Sequence, residues 1–340
     1  MSAIVECVPN FSEGKDAAII AAIGAAVRGV PRVKLLSVEP DRDYNRTVVT
    51  FIGAPESVVE AAFQATRVAA ERIDMTTHRG EHPRIGATDV VPFVPVAGVG
   101  MEECVRLARA FGKRVGEELN IPVYLYEEAA TRPERRNLAA VRKGEYEGLP
   151  AKLQDPDWQP DFGPADFPPR SGATIAGARM FLIAYNVNLN TNDQGIAHEI
   201  ALRIRESGRV QKDDRGNTVT DAQGRKVYVP GTLRSVKAMG VLLEAHNIAQ
   251  VSINLVNYHL TAPHVAYEEV KRQAASLGVE VTGSEIVGLT PKEALVMAGR
   301  FYAPGVHDEA ALITTAIERL GLNQLEHFDP SRKIIEFQLP

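Results

Sequence analysis

Hydrophobic residues follow two different spacings in the first 126 residues, and this pattern predicts short strands that alternate with helices. Apolar residues repeat at helical spacing over three long stretches, at residues 16–27, 54–73 and 101–119. Shorter runs rich in β-branched and aromatic residues are typical of strands, and they occupy residues 3–8, 33–38, 46–52, 89–96 and 123–126. Some of these strands follow each other too closely for a parallel crossover, so we expect a sheet with mixed pairing packed against helices.

The same alternation starts again in the second half of the chain. Strands are predicted at residues 180–189, 235–243, 251–256 and 279–287, and helices at residues 194–207, 266–277, 291–298 and 309–320. A charged region with Gly216 and Gly224 follows the helix at residues 194–207, and we expect it to form a hairpin. The order strand, helix, strand, strand, helix, strand is that of ferredoxin-like split β-α-β units. The pattern therefore predicts an α/β (α+β) protein with two domains.

Prolines crowd the segment between residues 149 and 172, together with the aromatic residues Trp158, Phe162 and Phe167. Such a composition predicts neither a helix nor a central strand. The segment is either a linker between domains or a long ordered loop that lines a ligand cleft. The aromatic residues favour the cleft, because a solvated linker has little use for them.

Composition narrows the class of protein. The chain has 340 residues, of which 45% are hydrophobic and 24% are charged, as expected for a globular protein with two cores. No apolar run approaches the roughly 18 residues of a membrane-spanning helix. Residues 1–10 contain Glu6 and no basic residue, so we expect no signal peptide and a cytoplasmic location. The net charge of −5 argues against nucleic-acid binding but allows a local basic cleft for a small acidic molecule.

The two cysteines and the glycine-containing segment 172–179 give weaker functional signals. Cys7 and Cys104 lack the spacing of a metal site or a disulfide framework, and we expect both to be small buried thiols rather than nucleophiles. The segment 172–179 carries two glycines and an arginine, and it fits a close approach to an anion and a tight turn between domains equally well.

Residues 76–89 hold the densest cluster of candidate chemistry, because His78, Glu81 and His82 lie there together with two arginines. The string His-x-x-Glu-His occurs in zinc peptidases, but zinc binding needs these residues on one face of a helix. Gly80 and Pro83 disfavour that helix. A histidine that acts as general acid and base in a loop fits better, since imidazole titrates near neutral pH. A solvated surface loop remains the alternative.

Six strings of residues are long enough to be specific, and they are spread over the chain. They are VECVPNFSEG at 5–14, NRTV at 45–48, GEHPR at 80–84, PVYLY at 122–126, PDFGP at 160–164 and GAR at 177–179. Together they closely resemble glutamate formimidoyltransferase, a family that in animals is fused to a cyclodeaminase domain. The resemblance covers essentially the whole chain.

The resemblance implies two α/β-sandwich subdomains of similar layout, a homodimer, and a folate groove between the subdomains. It places the subdomains at residues 1–181 and 182–326, followed by a tail at 327–340 and no cyclodeaminase domain. The implied reaction transfers the formimino group from N-formimino-L-glutamate to tetrahydrofolate, a step in histidine degradation. Tetrahydrofolate, with or without a polyglutamate tail, is then a co-substrate. The residues themselves predict no metal, no nucleic acid and no membrane.

The resemblance also implies roles for particular residues. Its catalytic histidine matches His82. Glu81 or Glu39 is a candidate to orient the His82 ring, and Arg84 or Arg46 to hold a substrate carboxylate. One departure is that Glu39 stands where family members carry an aspartate. The implied folate-binding loop consists of Gly163, Pro164, Ala165, Asp166, Phe167, Pro168, Pro169, Arg170, Ser171 and Gly172.

Three alternative functions stay open at this point. A folate pocket with one acid-base histidine is also compatible with salvage of 5-formyltetrahydrofolate. A zinc hydrolase that uses His78, Glu81 and His82 is a second alternative, and a non-catalytic ligand-binding module is the third.

Overall fold

The computed structural model describes residues 3–338, which form two compact units. The first unit extends to Met180 and the second begins at Phe181. Each unit contains its own sheet and its own helices. The fold is therefore a mixed α/β fold with two sheet-containing subdomains, as the hydrophobic pattern predicts.

The described part of the first unit contains seven strands and five α-helices. The strands are β1 (Ile4–Cys7), β2 (Asn10–Phe11), β3 (Val33–Asp41), β4 (Arg46–Gly53), β5 (Thr88–Ala97), β6 (Val123–Glu127) and β7 (Thr174–Ala178). The helices are α1 (Ala17–Arg28), α2 (Pro55–Arg72), α3 (Met101–Glu118), α4 (Leu138–Arg142) and α5 (Glu145–Gln154). Short 3-10 helices lie at Pro133–Arg135 and Pro156–Trp158.

The sheet of the first unit has mixed pairing. Strand β3 pairs with β4, and β1 and β2 both lie antiparallel between β4 and β5. Strands β5, β7 and β6 are parallel. Phe11 lies opposite Thr47 on one side and Thr88 on the other, so β4 and β5 begin at the same end of the sheet. The loop that contains His78 and His82 leads into this end.

Both faces of this sheet are covered. Helices α1, α2 and α3 pack on one face through a core that includes Ile23, Val58 and Phe111. Cys7 and Cys104 belong to that core, and both thiols are buried, as the sequence predicts. On the other face, α4 and α5 pack against Tyr124, Tyr126 and Ile175, mainly through Val141, Leu149 and Leu153.

The proline-rich segment differs from its prediction. It was expected to hold no helix, yet α5 extends to Gln154 and contains Pro150. Leu149 and Leu153 are fully buried on either side of that proline, and this burial offsets the helix-breaking effect of the ring. The segment also lies within the first unit, so the interpretation as a linker between domains is wrong.

The segment at residues 172–179 does not form the turn between domains that was one of its two predicted roles. It contains β7, which lies in the middle of the parallel part of the sheet. A side chain at Gly177 would approach the Tyr126 ring to 2.4 Å, so glycine is needed there for close packing between strands.

The second unit has an antiparallel sheet with the predicted ferredoxin-like order. Its main strands are β8 (Ile183–Leu189), β11 (Val236–Leu243), β12 (Ile248–Leu255) and β13 (Val281–Val287), arranged in the order β11-β12-β8-β13. A two-stranded ribbon, β9 (Arg209–Val210) and β10 (Tyr228–Val229), forms the charged hairpin region. The helices are α6 (Gln194–Ile204), α7 (Pro263–Ser276), α8 (Lys292–Tyr302), α9 (Glu309–Arg319) and α10 (Pro330–Lys333), and 3-10 helices lie at Glu244–His246 and Ile335–Gln338.

The last described residues pack on the second unit. Phe328, Ile334 and Ile335 are buried, and the Ile335 N–H donates to the oxygen of Thr290 at 3.0 Å. Within residues 3–338, every helix is too short or too polar to cross a lipid bilayer.

Candidate active site

The segment at residues 76–87, here called the histidine loop, has no helical turn at His78–His82 and lies against the turn that precedes β4. A side chain at Gly80 would come within 2.4 Å of the Tyr44 oxygen, so only glycine allows this approach. The His82 N–H donates to that same Tyr44 oxygen at 3.4 Å. The sequence prediction that Gly80 and Pro83 exclude a helix here is confirmed.

Asn45 anchors the histidine loop to the start of β4. Its backbone has a φ of +48°, a left-handed conformation that asparagine tolerates better than most residues. Its Oδ1 accepts a hydrogen bond from the Gly14 N–H at 2.9 Å, and its Nδ2 donates to the Arg79 oxygen at 2.8 Å. One side chain therefore joins three segments that surround the candidate site.

His78 is held by hydrogen bonds at both ring nitrogens. Its Nε2 lies 2.9 Å from the backbone oxygen of Asn45, and its Nδ1 lies 3.3 Å from Nε of Arg84. Arginine can only donate, so Nδ1 accepts and Nε2 carries the proton. Burial lowers the pKa of this imidazole. His78 is therefore a neutral, fully bonded structural residue.

Arg84 is committed to neighbouring protein groups. Its Nη1 donates to Glu145 at 3.1 Å and to Glu147 at 2.9 Å, and its Nη2 donates to Glu147 at 2.8 Å. Its Nε donates to His78, so every nitrogen of the guanidinium has an acceptor. The predicted role of Arg84 as the partner of a substrate carboxylate does not fit this geometry. Arg84 instead fastens α5 to the histidine loop.

His82 is the less constrained of the two histidines. It is half-buried, and its ring forms no hydrogen bond to any residue between 3 and 338. Burial, followed by the charge of Arg142 and then that of Arg46, lowers the pKa of His82 to about 3. The ring is therefore neutral at physiological pH, and protein groups in the described part of the chain leave both of its nitrogens without a hydrogen bond.

Arg142 was missed by the sequence analysis. It is the last residue of α4, and its guanidinium donates to the carboxylate of Asp89. Asp89 is buried at the start of β5 and also accepts a hydrogen bond from the Ile85 N–H at 3.0 Å. The available signal was the basic stretch from Arg135 to Lys143, but nothing local connects it to a loop 60 residues earlier in the chain.

The remaining candidate support residues lie in different surroundings. Arg46 is the first residue of β4, and its Nη1 donates to Oδ1 of Asn10 at 3.3 Å. Glu39 lies on β3 opposite Val48, which places it on the same sheet face as Arg46. Both Glu39 and Glu81 are exposed, and neither is hydrogen-bonded to His82 in the described part of the chain.

The predicted folate-binding loop, residues 163–172, meets the histidine loop at one end. The Arg170 oxygen accepts from the Met75 N–H at 3.0 Å, and the Ser171 oxygen accepts from the Ala87 N–H at 2.8 Å. A side chain at Gly86 would come within 2.2 Å of the Ala173 oxygen, so the two segments are in direct backbone contact. The structure thus brings together two regions that are far apart in the sequence.

The aromatic residues of this region pack within the first unit. Trp158 lies edge-on to Tyr124 with ring centroids 6.3 Å apart, and Phe167 lies 5.5 Å from Tyr146. Phe162 packs over Gly112 of α3. The exposed surface of loop 163–172 is formed instead by Gly163, Asp166, Pro169 and Arg170.

The zinc-site alternative finds no support in the geometry. Among residues 3–338, no three His, Cys, Asp or Glu side chains converge as metal ligands would. Both nitrogens of His78 are occupied by protein partners, and Glu81 is exposed.

Comparisons with known proteins place the whole chain in one family. Residues 4–179 match the N-terminal subdomain of the formiminotransferase domain, and residues 184–340 match the formiminotransferase domain. The chain is 49% identical over 344 residues to formimidoyltransferase-cyclodeaminase of Dictyostelium discoideum, with 100% of this chain and 61% of that protein covered. It is 50% identical over 345 residues to the Mus musculus protein of the same name, with 100% and 60% covered.

A shorter bacterial relative matches from end to end. Glutamate formimidoyltransferase of Streptococcus pyogenes serotype M1 is 43% identical over 339 residues, with 100% of this chain and 99% of that protein covered. By contrast, the chain spans about three fifths of the length of the formimidoyltransferase-cyclodeaminases that it matches. The chain belongs to the formiminotransferase domain family.

Proposed function

We propose that this protein transfers the formimino group of N-formimino-L-glutamate to tetrahydrofolate, producing 5-formimidoyltetrahydrofolate and L-glutamate. The observation that carries the proposal is the position of His82, whose ring has no hydrogen bond within residues 3–338 and lies in the electric field of Arg46 and Arg142, each with a buried Nε that has no partner there. Such a site suits a proton transfer on an anionic substrate. The end-to-end similarity to a glutamate formimidoyltransferase supports the same reaction.

In the proposed mechanism, His82 moves one proton between two nitrogens. N5 of tetrahydrofolate attacks the formimino carbon, and His82 accepts the proton that N5 loses as the new C–N bond forms. The tetrahedral intermediate then collapses, the bond to the glutamate nitrogen breaks, and His82 returns the proton to that nitrogen. Glutamate leaves as a neutral amine rather than as an unstable amide anion. No electrons are transferred to or from a cofactor.

The protein matrix places His82 for this task. Pro83 restricts the His82 backbone to extended conformations. The close packing of Gly80 against Tyr44 fixes the position of the histidine loop relative to the turn before β4. A misplacement of about 1 Å costs on the order of 100-fold in rate, so a rigid loop is an advantage to a proton carrier. We assign the tetrahydrofolate contacts to loop 163–172, which ends beside the histidine loop.

The test of the proposal is turnover with the two substrates. Purified protein is incubated with N-formimino-L-glutamate and tetrahydrofolate, and both L-glutamate and 5-formimidoyltetrahydrofolate are quantified. Equal amounts of the two products support the proposal. Conversion of 5-formyltetrahydrofolate without any reaction of formiminoglutamate would replace it with the salvage activity. Loss of turnover with a chelator, recovered by zinc, would replace it with metal chemistry.

Homodimer formation and a cytoplasmic location belong to the same proposal, as does acceptance of polyglutamylated tetrahydrofolate. Sedimentation analysis of the purified protein tests whether it forms a homodimer. A sedimenting species with the mass of one chain would contradict the homodimer.

A further inference from the structure

Arg46 and Arg142 have hydrogen-bonding capacity that the protein does not use. A guanidinium carries five N–H donors. Within residues 3–338, Arg46 has one acceptor, Oδ1 of Asn10, and Arg142 has one acceptor, the carboxylate of Asp89. The Nε of each is buried without a partner in that part of the chain. Arg84, only two residues from His82, shows the opposite pattern, since all its nitrogens are engaged.

The charges around His82 are also unbalanced. Arg84 is matched by Glu145 and Glu147, and Arg142 by Asp89. Arg46 forms no ion pair with any residue between 3 and 338. Partial burial of a guanidinium without a counter-ion raises the free energy of the folded protein, and binding of an anion removes much of this penalty.

We propose that Arg46 and Arg142 form a carboxylate subsite beside His82, which binds a carboxylate of the glutamate part of the substrate. This inference rests on the proposed function for the identity of the substrate. Guanidinium groups are suited to carboxylates because their N–H groups match the two oxygens. The subsite also replaces the predicted assignment of the carboxylate to Arg84.

The subsite makes His82 a base only when substrate is present. After burial, the charges that disfavour protonation of His82 are those of Arg142, Arg46 and Arg84, and a proton on the otherwise neutral His78 would act in the same direction. A bound carboxylate cancels part of that positive field and raises the pKa of His82, which makes the imidazole a stronger base. By linkage, protonation of His82 and binding of the carboxylate favour each other.

The first test measures binding without turnover. The imidazole nitrogen resonances of His82, assigned with a His82→Gln variant, are titrated with pH in the presence and absence of saturating L-glutamate. We expect L-glutamate to raise the apparent pKa of His82 by about one unit or more, the size of a close charge interaction. The Arg46→Gln variant should weaken L-glutamate binding by roughly 10-fold to 100-fold. An unchanged His82 titration, or unchanged affinity in Arg46→Gln, would overturn the subsite.

The second test separates the two substrates in steady-state kinetics. We expect Arg46→Gln and Arg142→Lys to raise the KM for formiminoglutamate and to leave the KM for tetrahydrofolate within about two-fold. Arg142→Lys keeps a positive charge next to buried Asp89, so we expect this variant to fold. Arg136→Gln is the matched control, because Arg136 is exposed and contacts only Glu128 among the described side chains. An equal rise in both KM values would overturn the proposal.

These tests also distinguish failure of the subsite from failure of the proposed function. If L-glutamate shifts His82 in an Arg46-dependent manner but no formimino transfer occurs, the subsite stands and the reaction is wrong. If transfer occurs at wild-type KM in both arginine variants, the reaction stands and the subsite is wrong.

Discussion

Nε2 of His78 donates to the backbone oxygen of Asn45 at 2.9 Å, and this hydrogen bond separates the roles of two histidines in the same loop. His78 holds the loop to the start of β4, while His82 has no such partner within residues 3–338. One imidazole is therefore structural and the other is available for chemistry.

The first prediction concerns stability. His78→Ala removes the bonds to Asn45 and Arg84 and leaves buried groups without partners, so we expect it to lower the free energy of unfolding by about 1–3 kcal/mol. His82→Ala should change that energy by less than about 1 kcal/mol. Denaturant unfolding of both variants measures the difference. The opposite order would mean that His82 is the structural residue.

The second prediction concerns the close approach of Gly80. Gly80→Ala places a methyl group 2.4 Å from the Tyr44 oxygen, so the histidine loop must move away from β4. We expect turnover to fall by about 10-fold to 100-fold while the protein remains folded. Gly148→Ala is the control, because its added methyl group meets no atom within 4 Å in helix α5. Equal activities of the two variants would show that the loop position does not matter.

The third prediction concerns the buried carboxyl of Glu6 on β1. Burial raises its pKa from the ordinary 4.5 to about 7, with Arg179 opposing the shift. Between these two pH values the unfolded chain has lost the proton that the folded protein keeps, so stability falls as pH rises. Glu6→Gln should therefore gain about 3 kcal/mol of unfolding free energy relative to wild type between pH 4.5 and pH 8. A pH-independent difference between the two proteins would contradict the shifted pKa.

The fourth prediction concerns loop 163–172. Trp158, the only tryptophan of the chain, precedes this loop in the sequence and packs edge-on against Tyr124. We expect tetrahydrofolate or 5-formyltetrahydrofolate to change the fluorescence of Trp158 and to slow proteolysis of the loop. Unchanged fluorescence and cleavage at saturating folate would place the folate contacts elsewhere.

The periodic parts of the fold could be predicted from the sequence because burial there follows a regular spacing. Helix α2 is an example, since Val58, Ala61, Ala62 and Ala65 lie at helical intervals and are buried. Strand β7 could not be recognised, because its Ala and Gly residues have weak strand propensity. The neighbours β5 and β6, rather than its own residues, determine its conformation.

The candidate site was only partly predictable for a related reason. His82 and the histidine loop stand out locally through Gly80 and Pro83, and loop 163–172 stands out through its prolines. The pairing of Arg142 with Asp89 joins residues 53 positions apart, and the commitment of Arg84 to Glu145 and Glu147 spans a similar distance. Only the tertiary structure shows which arginine is engaged and which remains open.

The role of His82 as the proton carrier can be measured by single-turnover transfer from formiminoglutamate to tetrahydrofolate at neutral pH, in wild type and in His82→Ala. We predict that His82→Ala lowers the transfer rate by roughly 100-fold or more, while the Kd for tetrahydrofolate stays near that of wild type. A transfer rate within a few-fold of wild type, with the variant fully folded, would contradict the catalytic role of His82.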